Sequence, residues 1–250
     1  MDAANIALVG STAFAAGLVN AIAGGGSLIT FPALVAVGLP VVEASLTNTV
    51  ALCPGYIGAT FAQRADLVGQ RSRMVRLLPA GAVGGTAGAL LLLLTGERAF
   101  AYVVPFLILF AAVLLAGQER MRRWLDIRVA RRRTELFAAA AVGLAAVYGG
   151  YFGAGMGVMI LASLGVVFAD SLTRLNALKQ TVSLSVNLAA ATVFLVSGRV
   201  DWSIASVMLA CSLAGGIFGG MVASKIPTAV LRWLIVSLAV VLSVVYVARW

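Results

Sequence analysis

Apolar positions along this chain gather into long runs separated by short polar turns. The first run covers about residues 6–37, well beyond the roughly 20 residues that a membrane-spanning helix needs. Gly24, Gly25, Gly26 and Ser27 interrupt its middle. Three successive glycines disfavour continuous helix, so the pattern predicts a helix that stops near Gly24 and restarts after Ser27. Unwound backbone at membrane depth is tolerated only where protein buries it or where it lines a cavity. Further apolar runs follow at about 42–61, 77–94 and 101–117, with residues 64–76 read as a basic connector. The second half opens on an overlong run at about 136–168, again broken, around Gly153, Gly155 and Gly157. Three more runs end near residues 196, 223 and 248.

The halves overlay in order and at nearly constant spacing. Ala23-Gly-Gly-Gly26 matches Phe152-Gly-Ala-Gly155. Glu43 through Val50 matches Leu175 through Val182, and Val83 through Gly88 matches Ala214 through Gly219. The expected fold is an all-α polytopic membrane protein made of two homologous four-element repeats, each beginning with a Gly-broken helix pair. The expected units are residues 1–117 as the first membrane repeat, 118–133 as a basic cytoplasmic connector and 134–250 as the second membrane repeat. The connector has the composition of a short amphipathic helix lying along the interface. In the third run Gly81, Gly85 and Gly88 are spaced to line one face and let a neighbouring helix approach closely.

Composition agrees with this reading: 62% of the 250 residues are hydrophobic and 11% charged, and mean hydropathy is +1.05. These values exclude an ordinary soluble domain. The first run reads as a retained part of the membrane body, because Met1-Asp-Ala-Ala-Asn lacks the positive start of a signal peptide. The net charge of +9 comes from arginines clustered in the loops at 64–76 and 118–133. That is positive-inside bias with anionic lipid nearby, rather than a nucleic-acid surface.

Charge also bears on topology. If each broken element crosses once, Arg98, Arg174, Lys179, Lys225 and Arg232 fall outside. If each returns to its starting side, only Arg98, Arg199 and Arg249 do. The second arrangement fits the bias better and makes the repeats inverted.

The chain has no histidine, and its two cysteines lack metal spacing, so no metal site, cofactor or enzyme constellation is expected. All nine acidic residues sit in loops or at span ends, which weakens readings that need a carboxylate cage. The polar groups that do enter the spans suit an anion. Lys179 offers positive charge beside Gln180 and Thr181, opposite Asn48 and Thr49 of the other repeat. The restarted helices after Gly26 and Gly155 would present free N–H groups, which favour anions. The candidate binding set is Asn20, Gly24, Gly25, Gly26, Ser27, Asn48, Thr49, Tyr56, Gly153, Gly155, Gly157, Lys179, Gln180, Thr181 and Asn187. Two other readings stand beside it: Lys179 snorkels to a headgroup, or the amides and hydroxyls join neighbouring helices.

The chain resembles the TauE/SafE family of membrane proteins, the sulfite exporter family. The resemblance rests on Gly17, Asn20 and Gly24-Gly-Gly26-Ser, on Phe31-Pro-Ala-Leu34, and on Gly38-Leu-Pro40 with Ala44 and Thr47-Asn48. It extends to Gly149-Gly-Tyr-Phe-Gly153-Ala-Gly155-Met-Gly157 and to Asn176-Ala with Lys179. It implies a multi-pass permease of the bacterial cytoplasmic (inner) membrane, exporting sulfite or an organosulfonate by alternating access. Coupling to protons or sodium and a homodimer are the other partners considered. The alternative is a passive anion channel or a transporter of another small organic anion.

Overall fold

The computed structural model describes residues 2–127 and 135–223, together with Trp233, 235–237, Val240 and Val241. The eighth apolar run lies mostly outside the described residues, as does the end of the basic stretch. Nine α-helices are described, and no strand occurs among the described residues. They are α1 (Ala3–Ile22), α2 (Ser27–Ala36), α3 (Val41–Ala62), α4 (Arg71–Thr95), α5 (Glu97–Ile127), α6 (Glu135–Tyr151), α7 (Met156–Val167), α8 (Leu172–Val196) and α9 (Trp202–Val222). A 3₁₀ turn over Arg64–Leu67 leads into α4.

Among the described residues, five segments are long and apolar enough to cross a membrane: Ala3–Ile22, Arg71–Thr95, Glu97–Gly117, Leu172–Val196 and Trp202–Val222. Exposed side chains along them include the apolar Leu94, Phe106 and Val113, as a lipid-facing surface requires.

Both long runs break where the glycines predict. The first leaves helix after Ile22 and re-enters at Ser27, with Gly24 and Gly25 at positive φ. The second leaves after Tyr151 and re-enters at Met156. At each break the chain folds back on itself. A Cβ at Gly26 would overlap the carbonyl of Ala16, ten residues earlier, and Met156 packs on Gly149.

Two boundaries differ from the sequence reading. Arg71, Arg73 and Arg76 form the first turns of α4 rather than a connector, because arginine is a good helix former. Beyond Gly117 the backbone stays helical through Ile127 as a continuation of α5, so no separate interfacial helix forms over those residues.

The helices interlock across the two halves. α4, from the first half, packs on α6 and α8; α9, from the second, packs on α1 and α3. Glycines allow these approaches. Gly84 and Gly88 lie against Gly143 and Val147 of α6, while Gly81 and Gly85 lie against Val182 and Val186 of α8. The glycines of α4 therefore serve two faces instead of the single face that their spacing suggests. On α9, Gly215 and Gly219 meet Phe14 and Leu18 of α1, and Gly216 and Gly220 meet Gly55 and Ala59 of α3.

The two ends of the bundle carry different ion pairs. At one, Asp170 accepts from Arg73 at 2.6 Å and pairs with Arg174 at 3.0 Å. At the other, Arg199 lies 3.7 Å from Glu43 and 3.6 Å from Glu97.

Candidate functional site

The two breaks touch. A Cβ built on Gly24 would lie 3.2 Å from Gly157 Cα, and one built on Gly157 would lie 3.3 Å from Gly24 Cα. Ser27 Oγ sits 3.8 Å from the Cβ position of Gly153. α5 backs both breaks, with Leu115 against Gly25 and Ala111 against Gly155. Phe31 of α2 and Phe152 beside the second break stack edge to face at 5.3 Å.

Asn20, in the last turn of α1, is the hub. Its side-chain Oδ1 accepts from the Gly26 N–H at 2.7 Å, bracing the first break. Its backbone carbonyl accepts from Gln180 Nε2 at 2.8 Å and from Lys179 Nζ at 3.2 Å. The second break has its own brace, Tyr148 OH donating to the Ala154 carbonyl at 2.7 Å. Around the contact, the N–H groups of Gly25, Ser27, Ala154, Gly155 and Gly157 have no acceptor among the described residues.

Lys179 is 1% exposed and points inward, with Cδ 3.6 Å from the Cβ position of Gly157. It has no carboxylate partner among the described residues. The amine thus faces the Asn20 carbonyl inside the bundle rather than its surface.

Asn48 joins the same network at one remove. Thr30 Oγ1, on α2, donates to Asn48 Oδ1 and lies 3.4 Å from the Gly26 carbonyl. Thr49 and Thr181 do not join it; their hydroxyls bond Ser45 and Ala177 in their own helices. Asn187 lies beside the Tyr56 hydroxyl further along α3 and α8, and its Nδ2 donates to the Ser183 carbonyl at 2.9 Å. Sequence reasoning missed Thr30 as a site residue, although it stands one turn after Gly26. It also missed Asn176, whose Nδ2 donates to the Ala21 carbonyl at 3.1 Å and to Gln63 Oε1 at 2.8 Å.

The nearer bundle end is tightly tied. Arg73 also donates to Gln70 Oε1 at 3.0 Å, and Gln70 Nε2 donates to the Arg174 carbonyl at 2.9 Å. Burial pushes the Asp170 carboxyl up. The hydrogen bonds from Arg73, the Ser171 N–H and Arg174 outweigh it and hold the carboxyl below the usual carboxylate value.

A buried lysine, hydrogen-bond donors and two helix starts thus converge, with no ion-pairing carboxylate among the described residues. No group of three or more metal-binding side chains occurs among the described residues. The sulfite exporter TauE/SafE pattern matches residues 9–246. The chain belongs to the TauE/SafE family. Similar proteins include the probable membrane transporter protein YfcA of Escherichia coli strain K12, 26% identical over 92% of this chain and 85% of its own length. A probable membrane transporter protein of Haemophilus influenzae is 29% identical over 88% of this chain and 86% of its own. Another, ORF9 of Sinorhizobium, is 28% identical over 93% and 88%. The TauE/SafE match and the five spanning helices make this a multi-pass secondary transporter of the bacterial inner membrane rather than an enzyme.

Proposed function

We propose that the protein exports a small sulfur-containing anion, sulfite or an organosulfonate, by alternating access around the contact between the two breaks. The observation that carries this reading is the meeting of Gly24 with Gly157 beside Asn20, Lys179 and Gln180. Lys179 supplies positive charge, and the unpaired N–H groups at the two helix starts supply directed donors for oxyanion oxygens. Asn20 and Thr30 hold the first break in place, so that its donors are preorganised. The family name supports sulfur chemistry, and the relatives' names support transport.

Residues 1–117 and 134–250 act in this reading as inverted membrane repeats flanking the basic connector 118–133. Two features support this reading, the first the inversion and the second the repeat itself. Arg73 and Arg174 share Asp170, as they would if each broken element returns to its starting side, and a crossing element would separate them. The interlocking of α4 and α9 also follows one rule applied twice, the fourth helix of each half packing on the first and third of the other. Protons or sodium supply the driving gradient, anionic lipids neutralise the arginine-rich loops, and a homodimer is the assembly expected.

The test is flux in proteoliposomes made with purified protein. Sulfite, sulfate, thiosulfate, sulfoacetate, taurine and simple carboxylates are offered with imposed pH and sodium gradients. Saturable sulfite or sulfonate flux, accelerated by the same anion on the far side, is the expected result. Flux that neither saturates nor responds to counter-anion identifies a passive channel and overturns alternating access. Selective movement of carboxylates overturns the sulfur assignment.

A further inference from the structure

Four buried side-chain atoms lack a hydrogen-bond partner among the described residues: Thr60 Oγ1, Gln63 Nε2, Gln180 Oε1 and Ser183 Oγ. Two of the residues belong to α3 or its cap and two to α8, and these helices pack together. On α8, Asn176, Gln180, Ser183 and Asn187 recur at helical spacing and form one stripe. Tyr56, Thr60 and Gln63 do the same on α3. The stripes face each other. Asn176 donates to Gln63 at one end, and Asn187 lies beside the Tyr56 hydroxyl at the other. Thr60, Gln180 and Ser183 fall between these two pairs, and Gln63 Nε2 belongs to the first of them.

Their orientation is fixed. The carbonyls of Asn20 and Ala21 only accept, so Gln180 and Asn176 must turn their NH₂ groups toward them. Gln180 Oε1 is then left over. Because Asn176 donates to Gln63 Oε1, Gln63 Nε2 is left over as well. Unpaired polar atoms are costly within a bilayer, and polar groups there belong to a cavity or path. The glycine-packed seams of α4 and α9 bring backbones together instead. The orphaned set offers a donor, an acceptor and two hydroxyls, which suits water or a hydrated anion.

We propose that the α3–α8 seam between Gln63–Asn176 and Tyr56–Asn187 is the cytoplasmic half of the transport path. Thr60, Gln63 and Ser183 form its wall, and the Gln63–Asn176 bridge closes it. The proposal rests on the transporter reading above. It connects the site to one side: Gln180 belongs to both the seam and the Asn20 hub. The seam covers roughly 10 Å of helix rise between Tyr56 and Gln63. Its bridged end leads to Arg64, Arg71, Arg73 and Arg76, which the positive-inside bias places in the cytoplasm. The Arg73–Asp170–Arg174 cluster lies across the same end.

The test uses the full chain with Cys53 and Cys211 replaced by alanine, carrying Ser183→Cys or Thr60→Cys. Both are labelled with a membrane-impermeant thiosulfonate in inside-out and right-side-out vesicles. Labelling at least 10-fold faster from the cytoplasmic face, and faster again when Asn176→Ala removes the bridge, is expected. Equal labelling from both faces overturns the proposal. So does no labelling while the exposed control Arg71→Cys reacts. Ser183→Ala provides a second arm, because its hydroxyl holds nothing in the fold. Transport at least 5-fold slower with unchanged melting supports the proposal, and wild-type transport overturns it. Cytoplasmic labelling without flux of any sulfur anion keeps the path and refutes the substrate. Sulfur-anion flux without labelling keeps the substrate and refutes the path.

Discussion

Gly24→Ala tests whether contact between the breaks, rather than the break itself, is what transport needs. Gly24 has φ +84, and its new Cβ would lie 3.2 Å from Gly157 Cα and 3.4 Å from Val158 N. Gly38 provides the control, with φ +100 and nothing within 4 Å of its Cβ position. Both substitutions place an L-residue in left-handed backbone, at about 1–2 kcal/mol. Both gain the same unfolded-state benefit, which cancels in the comparison. Only Gly24→Ala adds overlap with rigid backbone, at about 1–3 kcal/mol. At about 2–4 °C for each kcal/mol in a chain of this size, Gly24→Ala should melt several degrees below Gly38→Ala. The Gly38→Ala protein should also transport nearly as wild type, whereas Gly24→Ala, with Gly157 displaced from Lys179, should lose most of its flux. Both readouts come from one purified preparation, by thermal scanning in detergent and by flux after reconstitution. Equal melting shifts and equal flux in the two variants would refute the reasoning, because they would show that the contact carries neither stability nor function.

Two further outcomes follow from single side chains. Lys179→Met should raise the KM for the transported anion 10- to 100-fold, since a hydrogen bond to a charged group is worth about 1.5–3 kcal/mol. Its melting temperature should hold or rise, because replacing a buried charge with an apolar side chain is often neutral or stabilising; a KM like wild type counts against the anion site. Asp170→Asn should cost roughly 1 kcal/mol of stability near neutral pH, the value of a partly exposed ion pair. The folded carboxyl is held down, so its contribution is present above the unfolded carboxylate value of about 3.9 and is lost as pH falls through the folded value. Melting curves of wild type and variant should therefore converge on acidification, and a gap that widens instead contradicts the assignment.

The breaks were legible because three glycines in an apolar run leave helix few ways to continue, and the chain leaves helix at Ile22 and Tyr151 as that argument requires. Asn20, Lys179 and Gln180 were legible as polar residues in spans, but the partner that Lys179 and Gln180 share was not. That partner is a backbone carbonyl, Asn20 O, which has no sequence signature. Thr30 was passed over because a lone threonine in an apolar helix more often bonds its own backbone, as Thr49 and Thr181 do. Gln63 and Asn176 are separated by 113 residues, so only the packing of α3 on α8 gives either a role. The start of α4 was misplaced by reading charge as a helix end, when arginine ends an apolar run without ending helix.

The placement of small and polar residues explains how such a bundle can be firm and still move. Apolar side chains gain little by leaving lipid for a neighbouring helix, so association depends on close packing and on hydrogen bonds. α4 and α9 obtain close packing through glycine pairs that bring backbones together at Gly84–Gly143 and Gly216–Gly55. Sliding along those seams would drive a side chain into the opposing backbone. The α3–α8 seam has the opposite character: it holds all four of the unpartnered buried side-chain atoms found among the described residues. Separating it exposes groups that water can satisfy, so hydration offsets the cost of parting the helices. A rearrangement that keeps α4 on α6 and α9 on α1, while α3 and α8 part, therefore leaves the glycine-packed seams between those pairs intact. It would open the bundle beside Gln180, where the bound anion is proposed to lie.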